Sequence, residues 1–373
     1  MPWKQRLVVA ALVLLGMPAL AEARQIGEHD FVPDWRVETT GVVRERPVVA
    51  GGVAYVASQG GTLMAVEMAT GSVAWSAPTG DGFPLGPAVA DGVVYVANQA
   101  GPLHAFDAAT GEPVWTAEGV ASRGSGRPVA GAGTVFVNRF GGDGAVLAAL
   151  DAATGNVAWE APLGMATHGS PVVLGDTVFV TGSAAADPTP QVRSFDAASG
   201  ASGWESREPL SVVGAAGDLV LATGTGGLVA LAATTGDVAW SFRPEPGDGG
   251  VWAVDGPVAQ DGVLFVGTAI GMGGNPDPPS AGTVYALSAA TGERIWAAAV
   301  EGGVAHGPAV AGDVVAVVAG LGRGIYALDA DTGEVTWYRP QRATVTSALG
   351  IADGWLLLAD QDGSVAAWVD LER

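Results

Sequence analysis

No cysteine, four histidines and twelve tryptophans bound the chemistry open to this chain of 373 residues. Without cysteine there is no thiolate nucleophile, disulfide, cysteine zinc site, iron–sulfur cluster or c-type haem attachment. The lipid-bearing cysteine of a bacterial lipoprotein is missing as well. His29 stands near the start, His104 in an apolar strand-like run, and His168 and His306 in loop-like stretches far apart. Such isolated histidines read as hydrogen-bonding residues, not as a ligand set. No serine stands in a nucleophile-elbow context. The nearest approach to an oxygen-ligand cluster is Asn275 and Asp277, in the Gly/Pro-rich stretch from Gly271 to Ser280. Two groups fall short of the six to eight oxygens that calcium takes. No catalytic, cofactor-binding or metal-binding residue is expected. A formal net charge of −21 repels nucleic-acid phosphates.

The tryptophans recur in a frame. Gly71 precedes Trp75 by four residues, and the same spacing joins Gly111 to Trp115, Gly155 to Trp159 and Gly200 to Trp204. It continues from Gly236 to Trp240, Gly292 to Trp296 and Gly333 to Trp337. A row of tryptophans can stack sugar or quinone rings. Here each lies at a strand position, where a large ring fills the gap between neighbouring sheets, so the reading is structural.

The elements that carry this frame are strands. In the second copy, Pro87 to Ala90 is a strand, Asp91-Gly92 a hairpin turn and Val93 to Ala97 a second strand. Gln99 to Gly101 turns the chain, Leu103 to Asp107 is a third strand, and Ala108 to Gly111 turns it into a fourth, Glu112 to Thr116. Four-stranded units of about 40–45 residues specify a β-propeller. Residues 338–370 form an eighth unit that lacks its fourth strand. Phe31 to Glu38 supplies it, because Trp35 lies 12 residues before Pro47, as Trp75 lies 12 before Pro87. The expected fold is all-β: an eight-bladed propeller of four-stranded antiparallel blades, the ring closed by the N-terminal strand. Trp35, Trp75, Trp115, Trp159, Trp204, Trp240, Trp296 and Trp337 are its docking residues and are expected in the core, as are Trp355 and Trp368.

The phrase Ala-x-Asp-x-x-Thr-Gly-x-x-x-Trp stands nearly intact at Ala105 to Trp115, Ala149 to Trp159 and Ala327 to Trp337. It resembles the tryptophan-docking repeat of the pyrroloquinoline-quinone (PQQ) propeller superfamily, over residues 31–373. That superfamily includes quinone-dependent alcohol dehydrogenases and a non-catalytic subunit of the outer-membrane β-barrel assembly machinery. The enzymes carry large insertions, a calcium site of Asp, Glu and Asn, and often an adjacent cysteine pair. This chain has neither the cysteines nor the carboxylate cluster. The resemblance therefore implies a non-catalytic, protein-binding scaffold in envelope or outer-membrane assembly, without PQQ, calcium or another cofactor. A quinone-dependent dehydrogenase and a small-ligand or adhesion module are the alternatives.

Residues 1–23 have the form of a signal peptide: Lys4 and Arg6, an apolar run from Leu7 to Leu20, then Ala21-Glu22-Ala23. The mature chain is expected to be residues 24–373, periplasmic or secreted, without a transmembrane anchor and monomeric by itself. The loops after each second strand and those between blades open on one side of the disc, the tight turns on the other. Enlarged loops are expected at Asn138 to Gly144, Gly182 to Gln191, Thr268 to Gly282 and Arg243 to Gly256. With Phe83, Arg123, Arg127, Arg139, His168, Trp252 and His306, they make this side the expected partner-binding face.

Overall fold

The computed structural model describes residues 24–25 and 31–370, except 81–83, 99–100, 121–125, 142–143, 166, 185–186, 207, 226, 246–249, 252–255, 270–281, 320–323, 342–343, 348 and 353. Eight antiparallel sheets follow one another around an axis. Blades 1 to 7 occupy 48–78, 84–117, 129–164, 172–205, 211–242, 258–300 and 309–340. Blade 8 takes three strands from 350–370 and its fourth, Phe31–Glu38, from the other end of the chain. That strand pairs antiparallel with Ser364–Asp370 from Phe31↔Asp370 to Glu38↔Ser364, so the N-terminal strand closes the ring. Among the described residues there is no helix.

Turn chemistry sets the connections between the strands of each blade. The inner hairpin of blade 2 turns at Asp91 and Gly92, both with positive φ (49° and 76°), the conformation whose twist matches paired strands. In the turn to the outer strand, the Asp107 carboxylate accepts the N–H of Ala109 (3.0 Å) and of Thr110 (2.8 Å) and the Thr110 hydroxyl (2.9 Å). These bonds hold its pKa below the usual carboxylate value. Asp151 and Asp329 repeat the arrangement, and Asp196 does so with Ser199. Second and third strands are buried on both faces; the outer strands are largely exposed.

Tryptophans join one blade to the next. The indole N–H of Trp115 donates to Ala152 O (2.9 Å) in blade 3, and Trp75 and Trp296 do the same to Ala108 O and Ala330 O. Trp35, Trp159, Trp204 and Trp240 dock on Met68 O, Ala197 O, Ala233 O and Ala289 O. Each ring lies flat against the turn glycine of that next blade: a Cβ on Gly155 would meet Trp115 Cε3 at 2.6 Å. The expectation of full burial needs correction. Trp240, Trp296 and Trp337 are buried, but Trp35, Trp75, Trp115, Trp159 and Trp204 are half-buried, because the outer strand leaves one ring edge at the rim. Trp337 differs again. Its ring packs against Phe31 (5.5 Å between centroids) and Trp368 (6.1 Å), and it is 2% exposed. Trp368 is buried and Trp355 half-buried. Residues Arg24–Gln25 add a fifth strand to blade 7, opposite Tyr338 and Trp337.

Candidate partner-binding face

Loops after second strands and loops between blades share one side of the disc, as the strand order requires. Side chains near the ends of second strands pin the inter-blade loops there. Asn98 donates through Nδ2 to the Thr79 and Gly80 carbonyls. Asn138 donates to Gly169 O (3.0 Å), Thr167 Oγ1 to Thr181 O (2.7 Å), and Val212 N–H to Thr181 Oγ1 (3.0 Å). Thr346 Oγ1 donates to Val43 O (2.7 Å). Asn98, Asn138, Thr167 and Thr181 are buried and Thr346 half-buried, and their bonds to backbone tie the inter-blade loops to the strands.

Two of the expected long loops are corrected. Asn138 to Gly144 and Gly182 to Gln191 are not loops but the ends of longer strands, Thr134–Gly141 with Gly144–Asp151 and Thr177–Ala184 with Asp187–Asp196. The added residues pair across the hairpin, from Asn138↔Leu147 to Gly141↔Gly144 and from Thr181↔Val192 to Ala184↔Asp187. Alternation of apolar and polar residues is weak there, which hid the strands. In the loop from Arg243 to Gly256, Gly250–Val251 pairs with Thr268 and Ala269, so blade 6 is extended too. Blades 3, 4 and 6 thus carry lengthened strand pairs on this side.

Arg127 is exposed, its backbone N–H donates to Ser170 Oγ (3.0 Å), and its side chain has no ion pair among the described residues. Arg139 lies in a strand, not a loop, and its guanidinium is paired with Glu160 across the sheet. His168 is exposed and His306 half-buried. Phe83, Arg123, Trp252, Asn275 and Asp277 lie outside the described residues.

The sequence reading missed Glu45 and Arg46. Arg46 donates to Pro308 O (3.2 Å) and Gly307 O (3.4 Å), tying the entry of blade 1 to that of blade 7 across blade 8. A Cβ on Gly86 would lie 3.3 Å from Glu45 Oε2 and 3.7 Å from Arg127 Cδ, so Glu45 and Arg127 approach over that glycine. A signal was present: Arg46, Gly86, Arg127 and Ser170 hold one repeat position, each immediately before the equivalent prolines Pro47, Pro87, Pro128 and Pro171. His104 fills the joint between blades 1 and 2, with Nε2 at 3.2 Å from Thr79 O and Nδ1 at 3.1 Å from Thr116 Oγ1. Burial pushes its pKa down, which suits a neutral, space-filling imidazole.

The opposite side is acidic. Asp91, Asp176, Asp218, Asp261 and Asp313 stand in its inner hairpins and Asp107, Asp151, Asp196 and Asp329 at its outer turns, with no arginine or lysine among these turn residues. Cations of the described surface are therefore concentrated on the loop side and the rim.

The inner strands of successive blades touch around the axis. They consist of Val, Ala, Gly, Leu, Ile and Pro, with Gln260 and Ser211 the polar exceptions among the described residues. Gln260 donates to Gly312 O (2.7 Å). Among the described residues this wall offers no set of carboxylates of the kind calcium takes. No group of three His, Cys, Asp or Glu that could hold a metal occurs among the described residues.

A profile of the family described as outer membrane protein assembly factor BamB matches residues 29–137, 99–241, 190–275 and 280–372. Among solved structures, BamB from Moraxella catarrhalis is similar with a TM-score of 0.64 and 18% identity, covering 91% of this chain and 100% of that one. Quinohemoprotein alcohol dehydrogenase from Comamonas testosteroni is similar at TM-score 0.69 and 17% identity, over 92% of this chain and 78% of that one. The computationally designed Ika8 protein gives 0.70 and 15%, over 89% and 97%. At these identities the likeness shows the fold alone. No curated protein sequence matches the chain.

Proposed function

Because the chain belongs to the family of the outer membrane protein assembly factor BamB, we propose that it is a non-catalytic scaffold that binds a protein partner in the cell envelope through its loop face. One observation carries the reading. Side-chain hydrogen bonds hold the loops of that face on a rigid ring, while lengthened strand pairs on blades 3, 4 and 6 shape it. Rigid scaffolds that present varied loops are where binding sites usually lie. Exposed Arg127 supplies a cation, and Trp252 follows the paired residues Gly250–Val251 in sequence. Aromatic and arginine residues dominate interface hot spots.

The reading includes residues 1–23 as a cleaved signal peptide and a monomeric mature chain in the periplasm or outside the cell. It includes no PQQ and no calcium. The test is capture of whatever co-purifies with the mature chain from its native envelope. Trp252→Ala and Arg127→Ala should each weaken that capture by at least ~1 kcal/mol and leave stability within ~0.5 kcal/mol. Capture at wild-type strength by both variants would exclude this face. Alcohol-dependent dye reduction after adding PQQ and calcium would instead favour the dehydrogenase reading; turnover above ~1 s⁻¹, the low end of typical enzyme rates, is the threshold.

A further inference from the structure

The joint between blades 7 and 8 departs from the other seven. Elsewhere the residue two places after the docking tryptophan is apolar or small, as in Ala77, Ala117, Ala161 and Ala298; here it is Arg339. On the facing third strand the residue at the frame of Val66, Phe106, Leu150 and Leu328 is Trp368. Arg339 is half-buried, and its guanidinium carbon lies 3.8 Å over the Trp368 ring. The ring face offsets part of the cost of burying the charge. Arg339 has no carboxylate or hydrogen-bond acceptor among the described residues, and burial alone pushes its pKa below the ordinary arginine value.

Three further donors without acceptors belong to the segments that form this joint. Trp368 is 5% exposed and its Nε1–H has no partner; Ser347 is fully buried and its Oγ has none; the Nε2 of Gln341 is buried and has none. Gln341 follows Arg339 by two residues, and Ser347 lies between Val345 and Leu349, which pack with Trp337 and Trp368 in one cluster. A buried donor left without an acceptor costs roughly 1–3 kcal/mol. With 38 Asp and Glu in the chain, acceptors are not scarce. A cation and three orphaned donors in the segments that form this joint suit an acceptor-only ligand with negative charge.

We propose that the joint between blades 7 and 8 is an anion-binding site for a small carboxylate, with Arg339 supplying the charge and Trp368, Gln341 and Ser347 the further donors. The guanidinium fork matches the two oxygens of a carboxylate, and charge-assisted bonds of this kind are the strong ones. Trp368 stands on the strand of blade 8 that the N-terminal strand pairs with, and Phe31 of that strand packs on Trp337 of blade 7. A ligand that binds only the closed ring stabilises it by mass action, so occupancy couples to ring closure.

Formate labelled with carbon-13 is the probe. Titrated at constant ionic strength into the full mature chain, it should show saturable line broadening together with a rise in Tm. Arg339→Leu should abolish both, and Arg127→Ala on the loop face should change neither. Trp368→Phe, which keeps a ring but removes the indole N–H, should weaken binding about tenfold, the loss expected for one hydrogen bond to a charged group. Broadening that does not saturate, or that survives Arg339→Leu unchanged, overturns the proposal. If Arg339→Leu does not fold, Trp368→Phe and Gln341→Leu decide: wild-type affinity in both overturns it, a loss in either supports it.

Discussion

Two glycines of blade 3 allow the tryptophan joint to be tested by comparison within one blade. Gly133 (φ 76°) and Gly155 (φ 72°) share a left-handed backbone. A Cβ on Gly133 would meet nothing within 4 Å, whereas one on Gly155 would meet Trp115 Cε3 at 2.6 Å and Cδ2 at 2.7 Å. An alanine in this conformation costs about 1–2 kcal/mol, and that is all Gly133→Ala should lose. Gly155→Ala must in addition displace the indole. It loses the bond to Ala152 O, worth ~1 kcal/mol, and part of the tilted contact with Tyr95, worth ~0.5–1.5 kcal/mol. The total is about 3–4 kcal/mol, so the two variants should differ by ~2 kcal/mol. Urea denaturation with matched m-values measures this. In a Trp115→Ala background the two glycine substitutions should cost the same. Equal costs in the wild-type background would show that Trp115 does not bear on the next blade, and the account of blade joining would fail.

Trp337→Ala should cost ~3–5 kcal/mol, the range for large core truncations, and half-buried Trp115→Ala clearly less; the reverse order in urea melts would contradict their packing. Deleting Phe31–Glu38 should expose the edge of Ser364–Asp370 and drive aggregation; a monomer with unchanged Tm would mean the ring is closed otherwise. Asp107→Ala tests the turn carboxylate. Its folded pKa is lowered, so its contribution is present above the ordinary carboxylate value of 3.8 and is lost as pH falls through the folded value. The gap in urea midpoint between wild type and Asp107→Ala should therefore be full at neutral pH and close in acid; a gap independent of pH would remove the carboxylate from the account.

Blade number and strand order were legible in the sequence because each depends on chemistry within about forty residues, and ring closure was legible only through the repeat spacing, since the strands that close it stand at opposite ends of the chain. Asp107 caps a turn with its own neighbours, Gly111 supplies a positive φ, and Trp35 stands the same distance before Pro47 as Trp75 before Pro87. A repeat multiplies such local signals until they are unambiguous. What each residue meets across a joint is a different matter. That Arg46 reaches blade 7 and that five docking tryptophans keep an exposed edge both depend on how neighbouring sheets sit, which no periodicity encodes. Arg339 and Trp368 were each readable as departures from the frame. Only the packing of blade 7 on blade 8 brings them to 3.8 Å of each other, because they stand on strands of different sheets.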